Sequence, residues 1–264
     1  MIEIEHIGVT FDRGGPLEKH ALNDVSLRID EGEFVTVIGS NGAGKSTLLG
    51  VLAGDVTPEC GTVRIDGSAV TRRSTADRAG LVARVFQDPR AGSCDHLSVA
   101  ENLAVAQRRG GRRGFSLAAG RGDRNQYTAL LDDLGVDLAR RLDQPAAGLS
   151  GGQRQALALV MATLSPSRIL LLDEHTAALD PVMAANVLAL TERVVRERRL
   201  TALMVTHSMR QAIDTGDRVL MLHGGRIIHD LPRAKHPDLT VEHLLELFER
   251  RGGGAAVTDA MALG

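Results

Sequence analysis

The stretch FVTVIGSNGAGKSTLL, residues 34–49, constrains the fold more than any other part of this 264-residue chain. Its first six residues are mostly β-branched and do not alternate apolar with charged, so they read as a strand covered on both faces, as in a parallel sheet. The segment KSTLLGVLAG then reads as a helix closed by Gly54. Between them, residues 39–46 fit G-x-x-x-x-G-K-[ST]. Glycines at 39, 42 and 44 let the loop turn tightly, so that successive N–H groups point inward at phosphate oxygens. The helix start adds its positive dipole end. Lys45 is expected to reach the β- and γ-phosphates, and the Ser46 hydroxyl to ligate Mg²⁺. Gly39, Ser40, Asn41, Gly42, Ala43, Gly44, Lys45, Ser46 and Thr47 form the candidate nucleotide cradle.

The rest of the chain supports the α/β class. MIEIEHIGVTF, VSLRI, GTVRIDG and LVARVF read as strands before residue 88. Residues 88–165 carry helical patterns (SVAENLAVAQ, DRNQYTALLDDLG, QRQALALVMATL) and no convincing strand, as expected of an inserted subdomain. Strand logic resumes with RILLLD, followed by the helix PVMAANVLALTERVVRER, the strand TALMVTH and a hairpin, RVLMLHGGRIIHD, about Gly224-Gly225. Alternating strands and helices predict a mainly parallel sheet. The expected organisation is a nucleotide-binding core at 1–87 and 166–232, a helical subdomain at 88–165, a C-terminal helix at 233–250 and a flexible tail at 251–264.

Four further places carry chemistry. RILLLDEHTAALD runs four apolar residues into Asp173 and Glu174, at a strand end where open α/β sheets place ligands. Asp173 is expected to hold Mg²⁺, and Glu174 to orient and deprotonate the attacking water. The alternative is a pair of acids capping the next helix. His207 follows the strand TALMV and reads as a γ-phosphate contact; Gln87 follows LVARVF and reads as a neutral ligand for Mg²⁺ or water at a hinge. The plain alternatives are a strand-end histidine held by backbone and a loop glutamine. LSGGQ, residues 149–153, opens another helix whose amides need an anion, with no lysine beside it. Ser150, Gly151, Gly152 and Gln153 are therefore expected to cap a γ-phosphate bound by a second copy, in a closed head-to-tail dimer.

In this order the motifs resemble those of the ATP-binding cassette (ABC) ATPases, from residue 2 to about 230. GSNGAGKST matches the Walker A loop, Gln87 the Q-loop glutamine, LSGGQ the family signature and ILLLDE the Walker B motif. AALD, ending at Asp180, resembles the D-loop, and His207 the switch histidine. The resemblance implies a P-loop NTPase with a RecA-like core, an antiparallel β edge, an inserted α-helical signature subdomain and ATP-driven dimer closure. The family usually stacks adenine on a tyrosine near the first strands. Here Phe11 stands in place, as a stacking ring or as a core residue, while Tyr127 lies in the helical insert. His175 stands where the family most often has proline, and is assigned no catalytic role.

Composition bounds the rest. A net charge of −2 argues against a generic nucleic-acid binder, and Cys60 and Cys94 stand in no metal-type spacing. The longest apolar runs are strand-sized, so a membrane role needs partner chains to supply the span. The expected function is the ATPase of a transporter with separate permease subunits and a substrate-binding protein, cytoplasmic and peripheral on the inner face of the membrane. The motifs look most like tryptophan/tyrosine-type importer ATPases, with branched-chain amino-acid importers next. A separate-subunit exporter and a soluble non-transport ABC ATPase are the alternatives. RRGGRRG, residues 108–114, reads as a solvated loop, with a membrane or permease contact as its alternative.

Overall fold

The computed structural model describes residues 1–109 and 121–252. Residues 110–114 of the arginine–glycine segment and 253–264 of the expected tail lie outside these. The first part of the chain forms β1 (Ile2–Phe11), β2 (Lys19–Ile29), β3 (Phe34–Gly39), α1 (Lys45–Ala53), β4 (Cys60–Ile65), β5 (Ser68–Ala69), α2 (Thr75–Arg78) and β6 (Val82–Val85). Next come α3 (Val99–Gln107), α4 (Arg121–Asp133), α5 (Gly151–Leu164), β7 (Ile169–Asp173) and α6 (Pro181–Glu197). The chain continues through β8 (Thr201–Val205), α7 (Met209–Thr215), β9 (Arg218–His223), β10 (Arg226–Pro232) and α8 (Val241–Gly252). Two compact units result. One comprises Met1–Arg78 with the chain from Arg199 onward, the other Ala79–Arg198.

In the first unit, β1 lies antiparallel between β2 and β4, with β5 beyond β4. Asp66 and Gly67, both at positive φ, turn β4 back into β5. The other strands run β10-β9-β3-β8, with β3 parallel to both β8 and β9. All six residues of β3 are buried, as its unbroken apolar run requires. Gly224 and Gly225, at φ 52° and 75°, make the β9–β10 hairpin turn. α7 and α8 pack Met209, Ile213, Leu244 and Phe248 against Val219, Met221 and Leu231 of that hairpin and Ile38 of β3. Sequence patterning found α8 but not the seven-residue α7, which is too short to show a helical period.

The second unit pairs β6 parallel to β7, Val82 to Ile169 through Val85 to Leu172. α5 packs on β6, α3 and α6 pack on α5, and α4 packs on α3. Among the described residues of the expected insert the only β contact is an isolated bridge, Ser98 to Pro145. Tyr127 of α4 is buried and donates its hydroxyl to Gln107 at the end of α3, at 2.6 Å, so it serves this helical packing. Arg109 departs from the solvated-loop expectation. It is half-buried, and its Nη2 donates to the Ala162 carbonyl near the C-terminus of α5 at 2.6 Å.

The helix that follows the phosphate loop is fixed at its far end. Gly54, at φ 88°, donates its N–H to the Gly50 carbonyl and closes α1. Arg78, 1% exposed, then donates Nη1 to the carbonyls of Val51 and Leu52 at 2.6 and 2.8 Å and Nη2 to that of Val70 at 2.5 Å. A buried guanidinium thus satisfies orphan carbonyls of the last turn. Arg78→Ala strands these carbonyls, and urea unfolding of the variant is expected to show a loss of about 3 kcal/mol. A loss under about 0.5 kcal/mol would mean that Arg78 does not anchor the helix.

Candidate functional site

In the first unit β3 delivers the chain into the glycine loop. Gly39 allows the closest approach: a Cβ there would sit 2.2 Å from the Leu222 carbonyl oxygen. Gly44, at φ 100°, would place a Cβ 2.3 Å from the Ala21 carbonyl oxygen. Gly42 is at φ 77°. The hairpin turn braces the loop from outside, since Gly225 donates its N–H to the Ala43 carbonyl at 3.1 Å. Gly44 is the N-cap of α1 and supplies no side-chain cap. Lys45 is 5% exposed, and its ammonium donates to the carbonyls of Gly39 and Ser40 at 2.7 and 3.1 Å. The cation is therefore folded back over the loop whose amides and dipole favour an anion.

His207 leaves the C-terminal end of β8, which lies parallel to β3 with Val205 beside Val37. His207 and the glycine loop thus emerge from the same end of neighbouring strands, as expected of a ligand edge. Phe11 ends β1 and is 43% exposed, so it is not a core residue. Opposite it stands Lys19. The Lys19 ammonium lies 3.2 Å from where a Cβ on Gly42 would be, which brings a second cation to the loop. Sequence reasoning missed Lys19, because only the strand register shows it facing Phe11.

In the second unit Gln87 and the acidic pair follow the C-terminal ends of two neighbouring parallel strands, β6 and β7. Gln87 is exposed. Asp173 is 9% exposed and accepts from Nη2 of Arg84 at 2.6 Å. Glu174 is half-buried and adopts φ 46°, a left-handed conformation that an L side chain takes at a cost of roughly 1–2 kcal/mol. Such strain is typical of sites whose geometry is imposed by their surroundings. Neither acid caps the next helix. Asp180 does so, accepting from the N–H of Met183 at 3.1 Å, with Pro181 as the first helical residue.

The signature stretch also carries a cap of its own. The start of α5 is closed by its own residues: Ser150 accepts from the N–H of Gln153, and the Gln153 side chain accepts from the N–H of Ser150. This capping box meets part of the amide demand that had pointed to an anion. Gly152 is bare for a reason within its own unit. A Cβ there would lie 2.9 Å from the Met183 sulfur in the first turn of α6. Gly151 meets only Leu179, at an ordinary 3.5 Å.

His175 is buried beside Glu174. Its Nε2 lies 3.0 Å from Thr191 Oγ1 of α6, whose proton is committed to the Val187 carbonyl at 2.8 Å. Nε2 therefore carries the hydrogen, and the imidazole ties the segment after Glu174 to α6. Burial pushes its pKa down to about 4. Among the described residues no cluster of three His, Cys, Asp or Glu has metal-site geometry. The oxygen donors Ser46, Gln87 and Asp173 are hard ligands of the kind magnesium takes with phosphates.

The model for the family described as ABC transporter matches residues 22–177. The chain is 40% identical over 249 residues to the tyrosine transport ATP-binding protein of Clostridioides difficile strain R20291, covering 94% of this chain and 99% of that protein. It is 39% identical over 218 residues to the aliphatic sulfonates import ATP-binding protein SsuB of Burkholderia thailandensis, covering 81% of this chain and 57% of that one. Its fold is similar to that of the ATP-binding cassette MJ0796, solved as a dimer in a post-hydrolysis state with ADP and Pi. The TM-score is 0.76 and the identity 28%, over 88% of this chain and 98% of that one.

Linkage makes the His175 assignment measurable. The unfolded chain takes up a proton near the ordinary value of 6.5, while the folded chain resists until about 4. Stability is therefore full above 6.5 and falls as the pH drops through this window. Between pH 7 and pH 4 the wild type is expected to lose ~3 kcal/mol more than His175→Gln, which cannot take up the proton. Urea unfolding at both pH values reads the difference; parallel losses would place the imidazole in water.

Proposed function

The chain belongs to the ABC transporter family, and from that premise we propose that it powers import of an amino acid, tyrosine or a close relative, through separate permease subunits. That it is an ABC ATP-binding subunit, an ATPase with a P-loop and RecA-like core, follows from the family match and the fold. Transport of a small solute is supported by the names of the tyrosine and sulfonate relatives, and import by that of the sulfonate one. No described helix is long and apolar enough to cross a membrane. In this reading the chain sits peripherally on the inner face of the membrane through its permease, alongside a substrate-binding protein, and has no nucleic-acid partner.

The observation that carries the nucleotide assignment is α1 itself, a helix start with no side-chain cap, preceded by glycines and overlaid by a buried lysine. Gly39 to Thr47 cradle the phosphates, and Phe11 offers its exposed ring to the base. Ser46, Gln87 and Asp173 would hold magnesium, which would offset the negative charge of the phosphates. Glu174 accepts the proton of the attacking water, and His207 holds the γ-phosphate. Ser150, Gly151, Gly152 and Gln153 of a second copy close over that phosphate; the capping box leaves the Ser150 proton to donate. Residues 1–87 and 166–232 act as the nucleotide-binding core, and 88–165 as the subdomain that carries the signature to the partner copy.

Glu174→Gln keeps the side-chain shape and removes the base. The variant is expected to bind ATP with unchanged affinity, to lose at least about a hundredfold in kcat, and to accumulate as an ATP-bound dimer in size exclusion. Turnover near the wild-type rate would remove Glu174 from the role of base.

A further inference from the structure

Asp173 has a resident counter-ion that its motif does not predict. Arg84 lies on β6 in register with Leu171 of β7. Its side chain therefore shares a sheet face with Asp173, two residues further along. The two groups are 2.6 Å apart, with side chains only 16% and 12% exposed. The guanidinium carbon also stands 4.8 Å above the Phe86 ring. An arginine is charged at any working pH, and the aromatic face holds it in place. Three residues after Arg84 comes Gln87. Between them the Phe86 carbonyl accepts from Nε2 of Gln155 on α5, at 3.3 Å. The cation that holds Asp173 is thus wired into the strand leading to Gln87 and into the signature helix.

We infer that Arg84 is a positioning residue that competes for Asp173 Oδ2 and sets how much magnesium the site requires. The inference rests on the reading of Asp173 as a magnesium carboxylate. A charge-assisted hydrogen bond at 2.6 Å is among the stronger contacts a carboxylate makes, so Arg84 must cede or share that oxygen when the divalent ion is held. Without the guanidinium, a nearly buried carboxylate has less positive charge beside it, and its demand for a divalent cation rises. The ion pair therefore weakens magnesium binding while keeping the carboxylate aimed.

The test measures calorimetric affinity for a non-hydrolysable ATP analogue across a magnesium series. It reads the free magnesium concentration giving half of the magnesium-dependent gain in affinity. In Arg84→Met that midpoint is expected to fall roughly tenfold, the scale on which groups around a metal's ligands tune its affinity. Arg84→Gln retains a hydrogen-bond donor, gives up the charge and guards against misfolding; its midpoint is expected to fall as well, by a smaller factor. An unchanged or higher midpoint in folded variants, judged by circular dichroism, overturns the inference. Asp173→Asn separates the two levels of the argument. If it retains the wild-type midpoint, the metal assignment of Asp173 fails and this inference with it. If it loses the gain while the Arg84 variants do not shift, only the role of Arg84 fails.

Discussion

The start of α1 has no side chain to close it, and much of the first unit is arranged around that fact. α3, α5, α6 and α7 all begin with a side-chain cap, from Ser98, Ser150, Asp180 and Ser208. At α1 the cap is Gly44, with no hydrogen-bonding side chain and with the buried Lys45 ammonium directed at loop carbonyls. A helix N-terminus concentrates partial positive charge, and an adjacent ammonium adds a full one. The neighbourhood keeps that terminus accessible to an anion. Gly39 and Gly44 let the backbone pass where a Cβ would strike Leu222 or Ala21, the Gly225 amide braces the loop, and Arg78 ties the helix at its other end.

In the second unit the corresponding constraint is imposed by packing. Glu174 adopts a left-handed backbone with no glycine to ease it, and the next residue is pinned below by a buried imidazole bound to Thr191. One strand over, Arg84 holds Asp173 from the side. The two carboxylates at the end of β7 are thus treated differently. Asp173 is held by an ion pair, while Glu174 is aimed by the backbone and the tether that follows it. In the roles proposed for them, toward phosphate charge and the attacking water, such preorganisation is an advantage.

Much of this was legible in the sequence because it rests on short-range pattern. β3, α1 closed at Gly54, the Gly224-Gly225 hairpin and β7 ending at Asp173 are each written in a few consecutive residues. What escaped depended on pairing between distant segments. Arg84 drew no comment within LVARVF, yet a charge inside a buried strand demands a partner, and only the register with β7 shows which one. Lys19 needed the β1–β2 register, and Gly152 needed Met183, thirty-one residues on. At LSGGQ the spacing of Ser150 and Gln153 also writes a capping box, which meets part of the amide demand there and went unread.

The account turns on two copies sharing each nucleotide, since the lysine that reaches the phosphate and the serine that closes over it are assigned to different chains. Mixing Lys45→Ala with Ser150→Arg tests this most directly. Each variant alone lacks one half of both pockets, whereas a mixed dimer contains one complete pocket. The account predicts that neither variant alone hydrolyses ATP and that mixing restores a clear fraction of wild-type turnover, rising to a maximum near equal proportions. Mixed dimers demonstrated by differential tagging but without recovered turnover would contradict it.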